Sequence, residues 1–131
     1  SNPVEVLNEV YRILAPGGLL VIEVPNIMCS DAKFFGSSWL GWDLPFHVCH
    51  WTPASLEKVL TNIGFVIEHW KFKIPRFSDF ITNLKKTRFD GQNISIIKAI
   101  CHFLKVWLLG HLGFTLQSYG HFMTAYARKP N

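Results

Sequence analysis

The chain has 131 residues, of which 49% are hydrophobic, 15% aromatic and 17% charged. This composition excludes an intrinsically disordered chain, which would be rich in charge and poor in aromatic residues, and it predicts one globular domain. Three cysteines, Cys29, Cys49 and Cys101, offer no disulfide framework, so a reducing, cytoplasmic compartment is expected. Residues 1–3 lack an initiator Met and already resemble a helix start, which predicts a piece of a longer protein.

The net charge of +4 is divided unevenly along the chain. Residues 1–70 carry three basic and seven acidic residues, whereas residues 71–131 carry ten basic and two acidic residues. Such a basic half favours an anionic partner, either a phosphate-bearing substrate or a membrane surface, or an acidic part of the same protein. Nucleic acid is not expected, because no known reading motif accompanies the charge. The clustered basic residues are Lys71, Lys73, Arg76, Lys85, Lys86 and Arg88.

The first predicted elements are a helix over residues 3–14 and a strand over residues 19–24. Asn2 is a good helix N-cap, and the Gly17-Gly18 pair ends the helix in a turn. The run 19–24 is almost continuously apolar, which is typical of a central parallel strand buried on both faces. A helix, a glycine turn and a buried strand form one arm of a βαβ unit, so the fold class is α/β.

Residues 27–51 have no clean periodicity and are rich in aromatic side chains. This predicted irregular loop follows the carboxyl end of a strand, where ligands bind in open α/β sheets, so we expect a substrate loop. Thr52 caps a second predicted helix, which ends at Gly64, and a strand follows over residues 65–74.

The second half contains a basic and helical insertion over residues 75–118, before a last strand over residues 119–128. Residues 93–112 predict a helix that is apolar except for one polar stripe of Ser95, Lys98, His102 and Lys105. Because charges interrupt every long apolar window, a transmembrane span is excluded. The pattern fits an interfacial helix, a lid or a dimer face, and burial within a complete protein is the favoured interpretation.

Two stretches resemble class I S-adenosylmethionine-dependent methyltransferases. Residues 3–26, PVEVLNEVYRILAPGGLLVIEVPN, resemble the helix before the fifth strand, the L-x-P-G-G turn and the fifth strand of that family. Residues 39–65 resemble a subgroup with a P-x-H loop, a helix and a Gly-Phe strand start, whose relatives act in ubiquinone-type or cell-surface sugar biosynthesis. The resemblance implies a partial Rossmann-like fold, the C-terminal half with strands five to seven. It implies methyl transfer to a small molecule, with oxygen preferred over nitrogen or carbon as the acceptor.

The family's cofactor site lies mainly in its first half, which holds a glycine-rich loop after the first strand and an acidic residue after the second. This sequence has neither, since Gly17-Gly18 precedes a strand. The resemblance therefore implies a missing N-terminal half, S-adenosylmethionine as the cofactor of the complete enzyme, and an inactive chain on its own. Pro25 is the expected cofactor contact here. The rival interpretation is a non-catalytic module that forms a homodimer or docks on a membrane through residues 93–112.

His47 is the expected catalytic base, with the Asp43 carboxylate orienting it. Methyl transfer to a hydroxyl benefits from a base that removes the proton, and a histidine suits that task. A structural role, in which His47 pins the loop by hydrogen bonds, is equally open. His50 is a weaker candidate for substrate contact, since packing ahead of the Thr52 cap explains it as well.

Other expected substrate contacts lie in the same region. Asn26 could bind a polar group of the substrate or simply complete a strand-to-loop turn. Three tryptophans could stack on the acceptor or contact the sulfonium by cation–π attraction, or they could belong to the core; they are Trp39, Trp42 and Trp51. No metal site is predicted, because Cys29, Cys49 and their neighbours lack ligand spacing.

Overall fold

The computed structural model describes residues 2–112 and 120–131, which form one three-stranded sheet and the helices around it. The sheet order is β1 (Leu19–Pro25), β3 (Phe122–Arg128) and β2 (Val66–Lys73), with β3 antiparallel to both neighbours. Strands β1 and β2 are therefore parallel to each other, and their carboxyl ends share one edge of the sheet. This confirms the α/β class, the partial Rossmann-like arrangement and the antiparallel last strand.

The helices of the described residues alternate with the strands. They are α1 (Pro3–Ile13), α2 (Ser30–Phe35), α3 (Pro53–Ile63), α4 (Phe77–Phe89) and α5 (Ile96–His111), with short 3-10 turns at Gly36–Ser38 and Leu40–Trp42. The predicted caps are confirmed. The Asn2 side chain accepts from the Val4 N–H at 3.0 Å, and Thr52 and Ser55 form a capping box. Gly64 ends α3 with a φ of 112°, a left-handed conformation that favours glycine.

The main core lies between one face of the sheet and helices α1 and α3. It contains Leu7, Leu56, Leu60, Phe65, Met123, Ala125 and Ala127. The prediction that β1 is buried on both faces is wrong for this chain. Its alternate residues Leu19 and Val21 are 41% and 52% exposed, because α1 and α3 cover only the opposite face. Within the described residues β1 pairs with β3 alone, so it is an edge strand.

A second core joins the predicted substrate loop to the insertion. It is built from Cys29, Ala32, Phe35, Trp39, Phe80, Leu84 and Ala99. The segment 27–51 is therefore not wholly irregular, because it contains α2 and the two 3-10 turns. Helix α4 was not expected within residues 75–92. Its Phe80 and Leu84 have helical spacing, but the surrounding basic and polar residues obscure the pattern.

Three hydrogen bonds tie the α4 segment, residues 77–92, to the loop. The Asn83 side-chain oxygen accepts from the Leu40 N–H at 2.7 Å, and the Ser38 hydroxyl donates to Asp90 at 2.6 Å. The Gln92 amide donates to the hydroxyl of Ser37 at 2.7 Å. The segment around α4 thus fixes the conformation of the loop.

Helix α5 begins three residues later than its predicted segment, at Ile96. The last strand begins at Phe122 rather than at residue 119. The end of the predicted insertion, residues 113–118, and the first residue of the predicted last strand, residue 119, lie outside the described residues. No helix in the described parts of the chain is long and apolar enough to cross a membrane.

Candidate active site

Asn26 follows the carboxyl end of β1 and is completely buried. Its side-chain amide donates to the Gly120 carbonyl at 3.1 Å, and its side-chain oxygen accepts from the Met28 N–H at 3.0 Å. The same residue bridges to Trp51, whose carbonyl accepts from the Ile27 N–H. These bonds match the turn interpretation of Asn26, and they bring Trp51 to the end of β1.

The turn 43–47 brings together the two residues predicted to act in catalysis. The Asp43 carbonyl accepts from the N–H groups of Phe46 and His47, at 2.8 and 3.0 Å. The His47 Nδ1 atom lies 3.6 Å from an Asp43 carboxylate oxygen. The His47 side chain is 37% exposed and that of Asp43 is 53% exposed. A histidine and a carboxylate therefore lie side by side without a hydrogen bond between them; the Nδ1 atom is buried and has no hydrogen-bond partner, while part of the ring is open to solvent.

Two more predicted residues lie beside this turn. The His50 Nε2 atom is 3.1 Å from the Trp42 carbonyl, and the two rings meet edge to face at 4.9 Å. The Trp42 indole N–H donates to the Gly36 carbonyl at 2.7 Å. Trp39 is completely buried and packs edge to face on Trp42, as the core interpretation expects.

A cavity of about 480 Å³ opens next to these residues. Its walls are Ser37, Trp42, Leu44 and Lys86. Leu44 belongs to the same turn as Asp43, so this turn contributes to the cavity wall, although neither Asp43 nor His47 lines the cavity. Its walls offer an aromatic ring from Trp42 and a positive charge from Lys86.

The structure also contains a buried His–Asp–His cluster that the sequence analysis missed. The Asp31 carboxylate, on α2, lies 2.8 Å from His102 Nε2 and 3.8 Å from His121 Nδ1. Ring stacking holds both imidazoles, with Phe34 on His102 at 4.1 Å and Trp39 on His121 at 5.2 Å. The cluster connects α2, α5 and the start of β3 across the second core.

Sequence patterns gave only one indication of this cluster. His102 was expected on a polar stripe of its helix, but its side chain is only 12% exposed and contacts Asp31. The three partners are separated by up to 90 residues, and local periodicity does not report such contacts. In the sequence, Asp31 resembles a surface acid in the first turn of a short helix, where a negative charge interacts favourably with the helix dipole.

Burial shifts the pKa values of two groups in this region. Burial lowers the pKa of His121 below its usual 6.5, although the negative charges of Asp31 and Asp79 act in the opposite direction. Burial raises the pKa of the Cys29 thiol to about 12, and its sulfur accepts from the Ala32 N–H at 3.4 Å. His121 is therefore neutral at pH 7, and Cys29 is a protonated structural thiol.

The free energy of unfolding is expected to fall as the pH drops from 7 to 5. The unfolded chain takes up a proton on His121 near pH 6.5, whereas the folded chain takes it up only at lower pH. The loss is about 1.4 kcal/mol for each unit by which the pKa is lowered. Urea unfolding at several pH values measures it. The unfolding free energy of the His121→Gln variant should depend less on pH than that of the unmodified chain, whereas the exposed-site variant His69→Gln should show the pH dependence of the unmodified chain. An unchanged pH dependence in His121→Gln would contradict the lowered pKa of His121.

The three free thiols are expected to react at very different rates. Cys101 is exposed and Cys49 is half-buried, whereas Cys29 is completely buried with a raised pKa. A thiol reagent at pH 8 should label Cys101 and Cys49 in the folded chain and Cys29 only after unfolding in urea. Mass spectrometry of the labelled peptides checks this, and rapid labelling of Cys29 in the folded chain would show that the second core is open.

Comparison with known proteins identifies the family. A family model described as a methyltransferase domain matches residues 1–69, which is more than half of the chain. The chain belongs to this methyltransferase domain family. No curated protein sequence matches the chain.

One similar solved structure is the SeMet Haemonchus contortus phosphoethanolamine N-methyltransferase 2 in complex with S-adenosyl-L-methionine, with 17% sequence identity and a TM-score of 0.49. The match covers 100% of this chain and 30% of that chain. The methyltransferase domain chain described here thus spans less than a third of the length of that enzyme.

The described part of this methyltransferase domain does not fit S-adenosylmethionine on its own. No glycine occurs among the four residues after β1 or after β2, and neither strand ends in an acidic residue. The Gly17-Gly18 turn before β1 is hydrogen-bonded to Arg128 and Lys129. The Gly17 N–H donates to the Lys129 carbonyl at 2.9 Å, and Arg128 donates to the Gly17 carbonyl at 2.7 Å. The backbone groups of Gly17 and Gly18 therefore form hydrogen bonds within the fold and do not serve to bind a ligand. No group of three or more His, Cys, Asp or Glu side chains in the described residues is placed so that it could hold a metal ion.

Proposed function

We propose that this methyltransferase domain transfers a methyl group from S-adenosylmethionine to a hydroxyl oxygen of a small molecule in the cytoplasm, and that this chain supplies the acceptor side. The observation that carries the proposal is the turn that holds His47 next to Asp43 and whose Leu44 lines a cavity, in a chain whose residues 1–69 match the methyltransferase family. The free state of all three cysteines agrees with a reducing compartment.

His47 acts as the base in this proposal. S-adenosylmethionine supplies an electrophilic methyl group, and the acceptor hydroxyl loses its proton as it is methylated. The negative Asp43 carboxylate lies 3.6 Å from the buried Nδ1 atom, which has no hydrogen-bond partner, and its charge favours the tautomer that carries the proton on Nδ1. The Nε2 atom then remains free to accept the proton from the hydroxyl, and Asp43 stabilises the imidazolium that forms.

The acceptor binds in the cavity that is lined by Leu44 of the same turn. A volume of about 480 Å³ falls within the range of roughly 300–1,000 Å³ of small-molecule pockets. Trp42 offers a ring for stacking, and Lys86 favours an acceptor that carries negative charge near its hydroxyl. His50 contacts the carbonyl and the ring of the wall residue Trp42, and Trp51 bridges to Asn26 at the end of β1.

The main cofactor contacts come from an N-terminal half that this chain does not contain. The absence of a glycine loop after the described strands supports this proposal, as does the exposed face of β1 at Leu19 and Val21. Pro25 contributes a contact at the end of β1, next to the position of the reacting methyl group. The chain alone is then inactive.

A methyl-transfer assay tests the function. The complete protein is incubated with S-adenosylmethionine labelled in its methyl group and with small-molecule acceptors that differ only in an OH, NH₂ or CH₃ group at one position. Label should enter the hydroxyl compound, and the Lys86→Glu variant should raise KM for an acidic acceptor, while the control Lys58→Glu on α3 should not. Label in the amine alone would contradict an oxygen acceptor.

A further inference from the structure

Helix α5 presents an apolar face to solvent. Seven of its large apolar side chains, including the capping Leu112, are 43–70% exposed; they are Ile96, Ile97, Ile100, Leu104, Trp107, Leu108 and Leu112. Its buried residues Ala99, Val106 and Gly110 lie on the opposite side and pack on the rest of the domain. At 100° per residue the exposed side chains form one stripe along the whole helix. A stripe of this length marks an interaction surface.

Positive charge borders this stripe on both sides. Lys98 and Lys105 project from one flank of α5, and the helix carries no acidic residue. On the other flank Trp107 lines a cleft of about 920 Å³ whose charged residues are Lys71, Lys73 and Arg76 together with Glu23 and Asp79; Glu23 pairs with Lys73 and Asp79 with Arg76, which leaves one positive charge in excess. Residues 71–112 contain eight basic and two acidic residues. Both acids are engaged within the domain: Asp79 accepts from the Arg76 N–H at 2.9 Å, and Asp90 accepts from Ser38 at 2.6 Å.

We propose that α5 docks in the plane of an anionic phospholipid surface, with its apolar stripe in the boundary between headgroups and acyl chains. The stripe supplies the apolar contact, and the flanking lysines lie at the level of the lipid phosphates. Charge complementarity favours this partner over a second copy of the chain. In a two-fold pairing the lysines of one α5 would meet no acidic side chain on the other α5. The docking does not depend on the methyl-transfer proposal.

Vesicle co-sedimentation tests the docking. The full chain is mixed with vesicles of phosphatidylcholine alone or with 30% phosphatidylglycerol, and its mass in solution is measured by light scattering. Binding should be strong only with the anionic lipid and should weaken as salt rises. The double variant Ile97→Gln/Leu104→Gln should bind about tenfold more weakly or worse. The charge-reversal variant Lys98→Glu/Lys105→Glu should lose about tenfold or more.

Matched variants elsewhere serve as controls. Val6→Gln/Ile13→Gln changes two exposed apolar residues of α1, and Lys33→Glu/Lys58→Glu changes the net charge by the same amount as the α5 lysine variant. Both should retain vesicle binding. Equal binding of neutral vesicles would overturn the role of charge. Absence of vesicle binding by the unmodified chain would overturn the proposal; a dimer that Ile97→Gln/Leu104→Gln dissociates would then identify a second copy as the occupant.

Discussion

Replacing His47 by alanine is expected to lower kcat of the complete enzyme by about 10²–10⁴-fold, because the acceptor hydroxyl would lose the base that takes its proton. The affinity for the cofactor should not change, since His47 lies in the predicted substrate loop, residues 27–51, on the acceptor side. Asp43→Asn should lower kcat less, because the imidazole remains but loses the carboxylate 3.6 Å from its Nδ1 atom. Initial rates at saturating acceptor, together with calorimetric titration of S-adenosylhomocysteine, measure both quantities.

A matched control distinguishes a catalytic role of His47 from the effect of removing any histidine. His69 is exposed on β2, where its ring meets Tyr126 at 5.5 Å, away from the loop. His69→Ala should retain the full rate. If His47→Ala also retained it with an unchanged pH profile, His47 would have only the structural role that the sequence left open.

Replacing Asp31 by alanine is expected to destabilise the folded chain by about 1–3 kcal/mol, the cost of removing one partner of a buried hydrogen bond. The carboxylate is 5% exposed and lies 2.8 Å from His102 Nε2. Its loss leaves two buried imidazoles without their common partner and loosens α2 against α5. Urea unfolding monitored by tryptophan fluorescence measures the change in the free energy of unfolding.

A double-mutant cycle isolates the Asp31–His102 contact. The effects of Asp31→Ala and His102→Ala should not add, because the second substitution removes a contact that the first has already broken. The exposed-site variant Glu57→Ala on α3 should change the free energy by less than about 0.5 kcal/mol. A cost below about 1 kcal/mol for Asp31→Ala would mean that the cluster does not hold the second core together.

Local sequence patterns predicted the elements of the main core well. The caps at Asn2 and Thr52 and the glycine at the end of α3 are short-range features, and each appears where its residue type predicts it. Exposure of one face of β1 was not predictable in the same way. A continuous apolar run is compatible with burial on two faces, and the number of faces covered depends on which helices pack against the strand.

The candidate site was predictable only where its residues are close in sequence. Asp43 and His47 are four residues apart in one turn, so their pairing followed from the sequence. The Asp31 cluster depends on contacts with His102 and His121, which become neighbours only after α5 and β3 pack on α2. The aromatic density of residues 27–51 did not distinguish a core tryptophan, Trp39, from one that lines a cavity.

The central claim is that this chain is the acceptor side of a methyltransferase domain whose main cofactor contacts lie elsewhere. Calorimetric titration of the 131-residue chain with S-adenosylhomocysteine tests it most directly. The account predicts no saturable heat for this chain and saturable binding for the complete protein under the same conditions. Micromolar binding by this chain alone would contradict it, because the end of β1 and its neighbours would then form a cofactor site without a glycine loop.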